Sequence, residues 1–237
     1  MATFTHGKNA RLYAGSVNLT GYFNKAGASA QVDVAEASVF GNDDKVYVTG
    51  LADAKINGEG YFDADVAGAE ATMTAALGAA ARTVFSLYAI GDTLGNRGIG
   101  VSADATSFEP GADLGGVVGF SFEGQSSVGA ERLVSHAAFG TRSLAGTLTS
   151  IDDGADTAFG GAGYLHVTEL SGSMAIRIEH SDDDITYTTL VNFGTVTAVG
   201  GTRVAFTGTA QQYSRLVHTP ASTGTAAFVA GLARHTR

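Results

Sequence analysis

Apolar and polar residues alternate along most of this chain, in short runs separated by glycines and polar turns. Such runs cover 10–15, 17–23 and 28–40, and in the last of them Val32 and Val34 fall on one face and Asp33 on the other. Gly15 and Ser16, between the first two runs, are typical of a hairpin turn. Alternation with a period of two indicates β-strands with one buried face. We therefore predict a mainly β protein.

A polar stretch at 41–45, GNDDK, interrupts the alternation and predicts a turn. Val46 and Val48 then alternate with Tyr47, which indicates a further strand. In the run that follows, Ile56 and Phe62 are the strongest candidates for core positions.

The period changes at Val66, where an Ala-rich stretch without alternation begins. We predict one α-helix over 66–81. Asp65 is the expected N-cap, and Glu70 lies near the end of the helix dipole that favours negative charge.

Strands resume over 82–90, 99–110 and 115–128, and a loop-like stretch covers 151–163. From Tyr164 a second series of short strands follows at roughly ten-residue spacing, which is typical of a β-sandwich. The predicted fold is an N-terminal domain, residues 1–139, of β-sandwich or open-barrel type with one helix. A C-terminal β-sandwich of jelly-roll or Ig-like type, residues 140–237, follows it.

Composition narrows the classes of function. The formal net charge is −9 and the basic residues are scattered, which argues against a grip on nucleic-acid phosphates. The absence of cysteine excludes disulfides, thiolate zinc sites and a Cys nucleophile. No apolar run reaches the roughly 18 residues of a membrane span, so we expect no membrane insertion and synthesis in the cytoplasm.

No catalytic arrangement stands out, and we predict no enzyme, no cofactor and no catalytic residue. The sequence lacks a GxSxG elbow. His166 and His180 lie in or beside apolar strands, and isolated histidines there are more often structural than catalytic. The aspartates at 152, 153 and 156 and at 182–184 do not match the ligand spacing of an EF-hand, so we interpret them as turn residues and predict no metal site.

The segment from Asp33 to Asp63 resembles a run found in the tail tube (major tail) proteins of long-tailed bacteriophages. That run comprises a strand, a polar loop, a "YV.GL.D" strand and a "G.F" strand. The resemblance covers residues 4–132 and departs from the family at Ala35 and Glu36, where threonines are common. The matching positions are Asp33, Val34, Phe40, Gly41, Lys45, Tyr47, Val48, Gly50, Leu51, Asp53, Gly60, Phe62 and Asp63.

The C-terminal part resembles the extra domains that decorate some phage tail proteins. Its sandwich is similar to jelly-roll carbohydrate-binding folds, which leaves host-surface glycans as possible ligands. The exposed aromatic side chains that a sugar site needs would be Tyr164, Tyr187 and Tyr213.

The resemblance implies a virion protein of the phage tail, made in the host bacterium. Copies would form hexameric rings that stack into a tube, in contact with the terminator, tape measure and baseplate proteins. Viral DNA would pass through the lumen without specific binding. The loop Gly41, Asn42, Asp43, Asp44 and Lys45 would then be a contact between subunits. The alternatives are a carbohydrate-binding module and a decoration protein of capsid or tail.

Overall fold

The structure, a computed structural model, describes residues 7–40, 43–62, 68–112, 114–221 and 224–236. Within these ranges it contains a short 3-10 helix, Gly7–Asn9, one α-helix and fifteen strands. The prediction of a mainly β protein is confirmed. Among the described residues, no helix is long and apolar enough to cross a membrane.

The elements of the first part are β1 (Arg11–Ala14), β2 (Val17–Asn18), β3 (Phe23–Glu36), β4 (Tyr47–Tyr61), α1 (Ala69–Ala76), β5 (Thr83–Tyr88), β6 (Arg97–Gly111) and β7 (Gly119–Arg142). Those of the second part are β8 (Gly146–Thr147), β9 (Ile151–Asp152), β10 (Gly161–Ser171), β11 (Met174–Ser181), β12 (Thr188–Val196), β13 (Gly200–Phe206), β14 (Tyr213–Pro220) and β15 (Thr225–Arg234).

The helix is shorter than predicted. It ends at Ala76 because Leu77 has an extended backbone and Gly78 has a left-handed φ of +67°. Gly68 occupies the N-cap position. The predicted cap, Asp65, lies outside the described residues.

Most described strands belong to one antiparallel sheet of ten, in the order β13-β10-β15-β7-β6-β5-β1-β2, with β4 on β7 and β3 on β4. The second sheet has five strands, in the order β12-β11-β14-β8, with β9 also on β14. The predicted turn at Gly15 and Ser16 joins β1 to β2, and the φ of +54° at Gly15 suits a residue without a Cβ.

Three core clusters fill the space between these elements. The first packs α1 and Met73 against the sheet formed by the N-terminal strands. The second lies between the two sheets, where Met174, Ile176 and Ile178 point inward from alternate positions of β11. The third joins side chains of both halves, with Tyr13 and Tyr88 on one side and Tyr164 and Val229 on the other.

Strand β7 connects the two parts of the molecule. One edge of it pairs with β6 from Gly119 to Val134. The other edge pairs first with β4, up to Ser126, and then with β15, from Leu133 onward. The predicted boundary between residues 139 and 140 therefore falls inside a strand, and the division into two domains remains a prediction.

Candidate functional site

The hairpin of β3 and β4 extends beyond the sheet as a two-stranded arm. Strand β4 pairs with β7 only from Ala54 to Tyr61, whereas β3 and β4 remain paired as far as Glu36 and Tyr47. We call residues 31–53 the arm. Among the described strands β3 pairs with β4 alone, so its outer edge is open.

The arm carries many exposed apolar side chains. Its described residues from 31 to 50 are all exposed, and Phe40, near the end, is exposed completely. A two-stranded ribbon is only marginally stable in water, and apolar surface in this amount marks an interaction site. The large apolar side chains exposed there are Val32, Val34, Val39, Phe40, Val46, Tyr47 and Val48.

Apolar side chains project from both faces of the arm. Val34 lies opposite Thr49, and the next pair along the ribbon, Ala35 and Val48, points to the other face. A two-stranded ribbon that lies in solvent would carry polar side chains on at least one of its faces. The pattern instead fits an element that is enclosed by a partner.

The arm is also acidic. It holds five carboxylates against the single ammonium of Lys45, a formal charge of −4. A partner surface should therefore be basic as well as apolar. The five acidic residues are Asp33, Glu36, Asp43, Asp44 and Asp53.

The predicted contact loop lies at the end of the arm. Asp43 and Asp44 are exposed and have no hydrogen-bond or ion-pair partner among the described residues. Lys45 Nζ lies 2.8 Å from Glu36 Oε2, so its charge is engaged within the arm. Gly41 and Asn42 lie outside the described residues. The role of this loop as a contact between subunits remains a prediction.

The expected exposure of Tyr164 is wrong. Its side chain is fully buried, because β10 lies inside the large sheet between β13 and β15. The ring covers Gly100, where a Cβ would come within 2.6 Å of it. The hydroxyl donates to the carboxylate of Glu131. Tyr164 is therefore a core residue and not a surface for sugars.

Glu131 collects several partners at this place. Arg203 donates to it from Nε at 2.6 Å and from Nη2 at 2.8 Å, and His235 Nε2 lies 2.7 Å from Oε1. Burial by itself raises the pKa of Glu131, but the hydrogen bonds from Arg203, Tyr164 and His235 outweigh burial and lower it below its ordinary value. The group is a buried carboxylate held in its charged form.

The other two tyrosines lie at the five-stranded sheet and are half-buried. The Arg215 guanidinium lies 3.5 Å from the ring centroid of Tyr187. It covers one face of the ring, so only the other face could contact a ligand. Tyr213 lies opposite Ser181 on β11. Contact of Tyr187 and Tyr213 with glycans remains a prediction.

Two histidines form serine pairs that the sequence did not reveal. His166 Nδ1 donates to the carbonyl of Gly15, and Nε2 accepts from Ser86 Oγ at 2.9 Å. His136 Nδ1 lies 3.0 Å from the carbonyl oxygen of Val134, and its Nε2 lies 2.8 Å from Ser214 Oγ, which is also 3.4 Å from Asp153 Oδ2.

Neither pair is arranged for catalysis. All four side chains are buried, so no substrate reaches them, and a carbonyl stands where a triad has a carboxylate. Burial lowers the pKa of His166 to about 4, which keeps the ring neutral. His180, the other candidate, accepts from the backbone N–H of Gln211 at 3.1 Å.

The aspartates at 182–184 build a turn, as predicted. Asp183 accepts from the backbone N–H groups of Ile185 and Thr186, and these bonds with that of Ser181 lower its pKa to about 2. Asp184 adopts a left-handed φ of +57°. In the part of the chain that is described, no cluster of three or more acidic or histidine side chains is placed to hold a metal ion.

No protein-family model and no curated protein matches the sequence. A chain from the virion of a native gene transfer agent particle aligns with a TM-score of 0.43 at 12% identity, over 54% of this chain and 98% of that one. A chain from the tail of an empty gene transfer agent particle, refined with C6 symmetry, gives 0.40 at 14% identity, over 52% and 94%.

The Dit protein of phage SPP1, described as a hub of the adsorption apparatus in phages that infect Gram-positive bacteria, gives 0.39 at 8% identity. That alignment covers 94% of this chain and 98% of Dit. These similar chains come from gene transfer agent particles and from one phage hub protein, and the likeness concerns the fold alone.

Proposed function

We propose that this chain is a structural protein of a phage tail, and that its copies join through the arm into six-membered rings that stack into a tail tube. The observation that carries this proposal is the arm itself. It is an exposed two-stranded ribbon without a core, with apolar side chains on both faces and both edges unpaired among the described strands. Such an element is stabilised when a partner covers it.

The resemblance to tail tube proteins supports the same interpretation. The segment that carries it, residues 33–63, includes most of the arm and the length of β4 that pairs with β7. The matching residues Phe40, Tyr47 and Val48 are among the exposed apolar side chains. Residues that serve the core do not need this exposure, so a function in assembly accounts for them better.

A closed ring accounts for the open edges. Strand β3 at the arm, and β13 and β2 at the ends of the described sheet, each have an unpaired side. Rings satisfy such edges by placing the same neighbour against every copy.

The net charge of −9 supports a conduit more than a DNA-binding surface, because a wall of like charge repels the phosphates that slide past it. The role is mechanical and not enzymatic. The other partners would be the terminator, tape measure and baseplate proteins of the same virion.

The test compares the wild-type chain with the double variant Asp43→Lys and Asp44→Lys. We expect six-fold rings or stacked tubes for the wild type in negative-stain electron microscopy, with a matching mass by light scattering. The variant should remain monomeric with an unchanged melting temperature, since neither aspartate has a partner within the described chain.

A matched control, Glu169→Lys with Asp182→Lys, makes the same change in net charge at exposed positions away from the arm and should assemble normally. Normal tubes from the Asp43 and Asp44 variant would contradict the arm as a contact. Single rings that never stack would retain self-assembly and contradict the tube.

A further inference from the structure

Arg97 and Arg132 differ from every other arginine that the structure describes. Both are exposed, and neither has a hydrogen-bond or ion-pair partner among the described residues. The others all donate to a carboxylate or to backbone carbonyls. These are Arg11, Arg82, Arg142, Arg177, Arg203, Arg215 and Arg234.

The two arginines lie together on one face of the large sheet. Ile99 pairs with Arg132, and Arg97 pairs with Val134, so the guanidinium-bearing residues are diagonal neighbours on β6 and β7. Diagonal neighbours in a sheet are about 7–8 Å apart, within reach of one another's long side chains. The pair therefore presents two positive charges to the same ligand.

A shallow apolar groove of about 270 Å³ runs between them. We call it the arginine groove; it is lined by Leu87, Ala89, Arg97, Gly98, Ile99 and Arg132. On the far side of the pair, Asp153 is already bound by Arg234 at 2.8 Å, and Asp156 forms no ion pair with either arginine. Asp53 and Glu131 line a neighbouring cavity with Arg132, but Glu131 is already bound by Arg203 and His235. No described carboxylate forms an ion pair with Arg97 or Arg132, in a chain whose net charge is −9.

The end of the arm has the complementary chemistry. It presents two carboxylates without partners, Asp43 and Asp44, beside the exposed apolar side chains of Phe40 and Val46. These aspartates form no ion pair with Arg97 or Arg132 of their own chain. We propose that the arginine groove is the surface on which a second copy of this chain seats the end of its arm.

In this arrangement the two aspartates pair with the two arginines, and an apolar side chain from the arm fills the groove over Ile99 and Leu87. Arg binds carboxylates through two parallel N–H donors, so two such pairs also fix the orientation of the arm. The inference rests on the proposed function, because it identifies the acceptor of the arm.

The test is assembly of the full chain carrying Arg97→Glu and Arg132→Glu. We expect the concentration needed for assembly to rise about tenfold or more, because like charges across an interface repel. The melting temperature should not change, since both side chains are exposed and have no partner to lose. A control with Arg82→Glu and Lys25→Glu, both at exposed positions, makes the same change in net charge and should assemble as the wild type does.

The decisive variant combines all four charge reversals, with lysines at 43 and 44 and glutamates at 97 and 132. Restored assembly would support the pairing, because each charge again meets its opposite. If the Asp43 and Asp44 variant fails to assemble while the Arg97 and Arg132 variant assembles normally, the arm remains the contact and the groove is not its acceptor.

A wild-type chain that never assembles would overturn both this inference and the proposed function. Binding of duplex DNA by the wild type that the Arg97 and Arg132 variant loses would assign the pair to phosphates and overturn the inference alone.

Discussion

Glu131 lies where three distant segments of the chain meet. Its carboxylate binds Tyr164 from β10, Arg203 from β13 and His235 from the segment after β15. These partners are 33, 72 and 104 residues away in sequence. No spacing rule connects residues at such distances, which is why the sequence suggested an exposed Tyr164.

We predict that Glu131→Gln lowers the free energy of unfolding by about 3 kcal/mol at neutral pH, because the half-buried Arg203 loses its buried counter-charge. The folded pKa of Glu131 lies below the ordinary value of 4.5, so its contribution is complete above that value and declines as the pH falls through the folded value. The difference between wild type and variant should therefore shrink in acid.

Urea unfolding at neutral and acidic pH measures both effects. The exposed Glu169→Gln is the control and should leave stability unchanged. An equal loss at both pH values would mean that the glutamine disturbs packing and that the charge of Glu131 is unimportant.

At the scale of elements, the sequence predicted strands wherever apolar and polar residues alternate, so that every second side chain points into the core. The alternation of Met174, Ile176 and Ile178 gave β11, and similar runs gave most of the C-terminal strands. The helix was recognised but not its end, since Leu77 continues the Ala-rich pattern while its backbone is extended.

Strand β7 was recognised only in part. It runs for 24 residues, but the left-handed Gly129 and a shift of register interrupt its alternation in the middle. The arginine groove could not be predicted from the sequence, for a related reason. Arg97 and Arg132 are 35 positions apart in sequence, and only the pairing of β6 with β7 brings them together.

The arm should be dispensable for folding. No described residue of it belongs to a core cluster, and Val32 lies directly opposite Ala52. We predict that replacing residues 33–51 by Asn-Gly, a favoured two-residue hairpin turn, leaves the melting temperature unchanged and abolishes assembly. Thermal melting followed by circular dichroism and light scattering would show the two results separately. Rings formed by this variant would mean that the contact between copies lies elsewhere.

At the scale of the whole molecule, the two halves share a sheet and a core cluster. Strand β7 pairs with β6 and β4 from the first half and with β15 from the second. The third cluster packs Tyr88 against Gly231, where a Cβ would come within 2.5 Å of the tyrosine hydroxyl. The composition and spacing of the strand-like segments reveal two series of strands. They cannot show that one strand, β7, pairs with strands of both series.

We predict that the chain unfolds in a single cooperative transition despite its two series of strands. The reason is that separating the halves would expose the third cluster and leave β15 without β7. Differential scanning calorimetry tests this through the ratio of calorimetric to van't Hoff enthalpy, which should be close to one. Two resolved transitions would instead support independent domains, 1–139 and 140–237.

The arm and the arginine groove are different surfaces of the same chain, which gives the proposed contact a direction. One copy inserts its arm and the next copy receives it in its groove. The two sides of the interface are therefore different surfaces, and the interface is heterologous. A ring that is not yet closed therefore has a polarity: one end displays an unused arm and the other displays an unused groove. A copy without an arm can still accept one but cannot donate one, so it would leave the ring that it joins open at a single position, and a small amount of it would block closure of many rings.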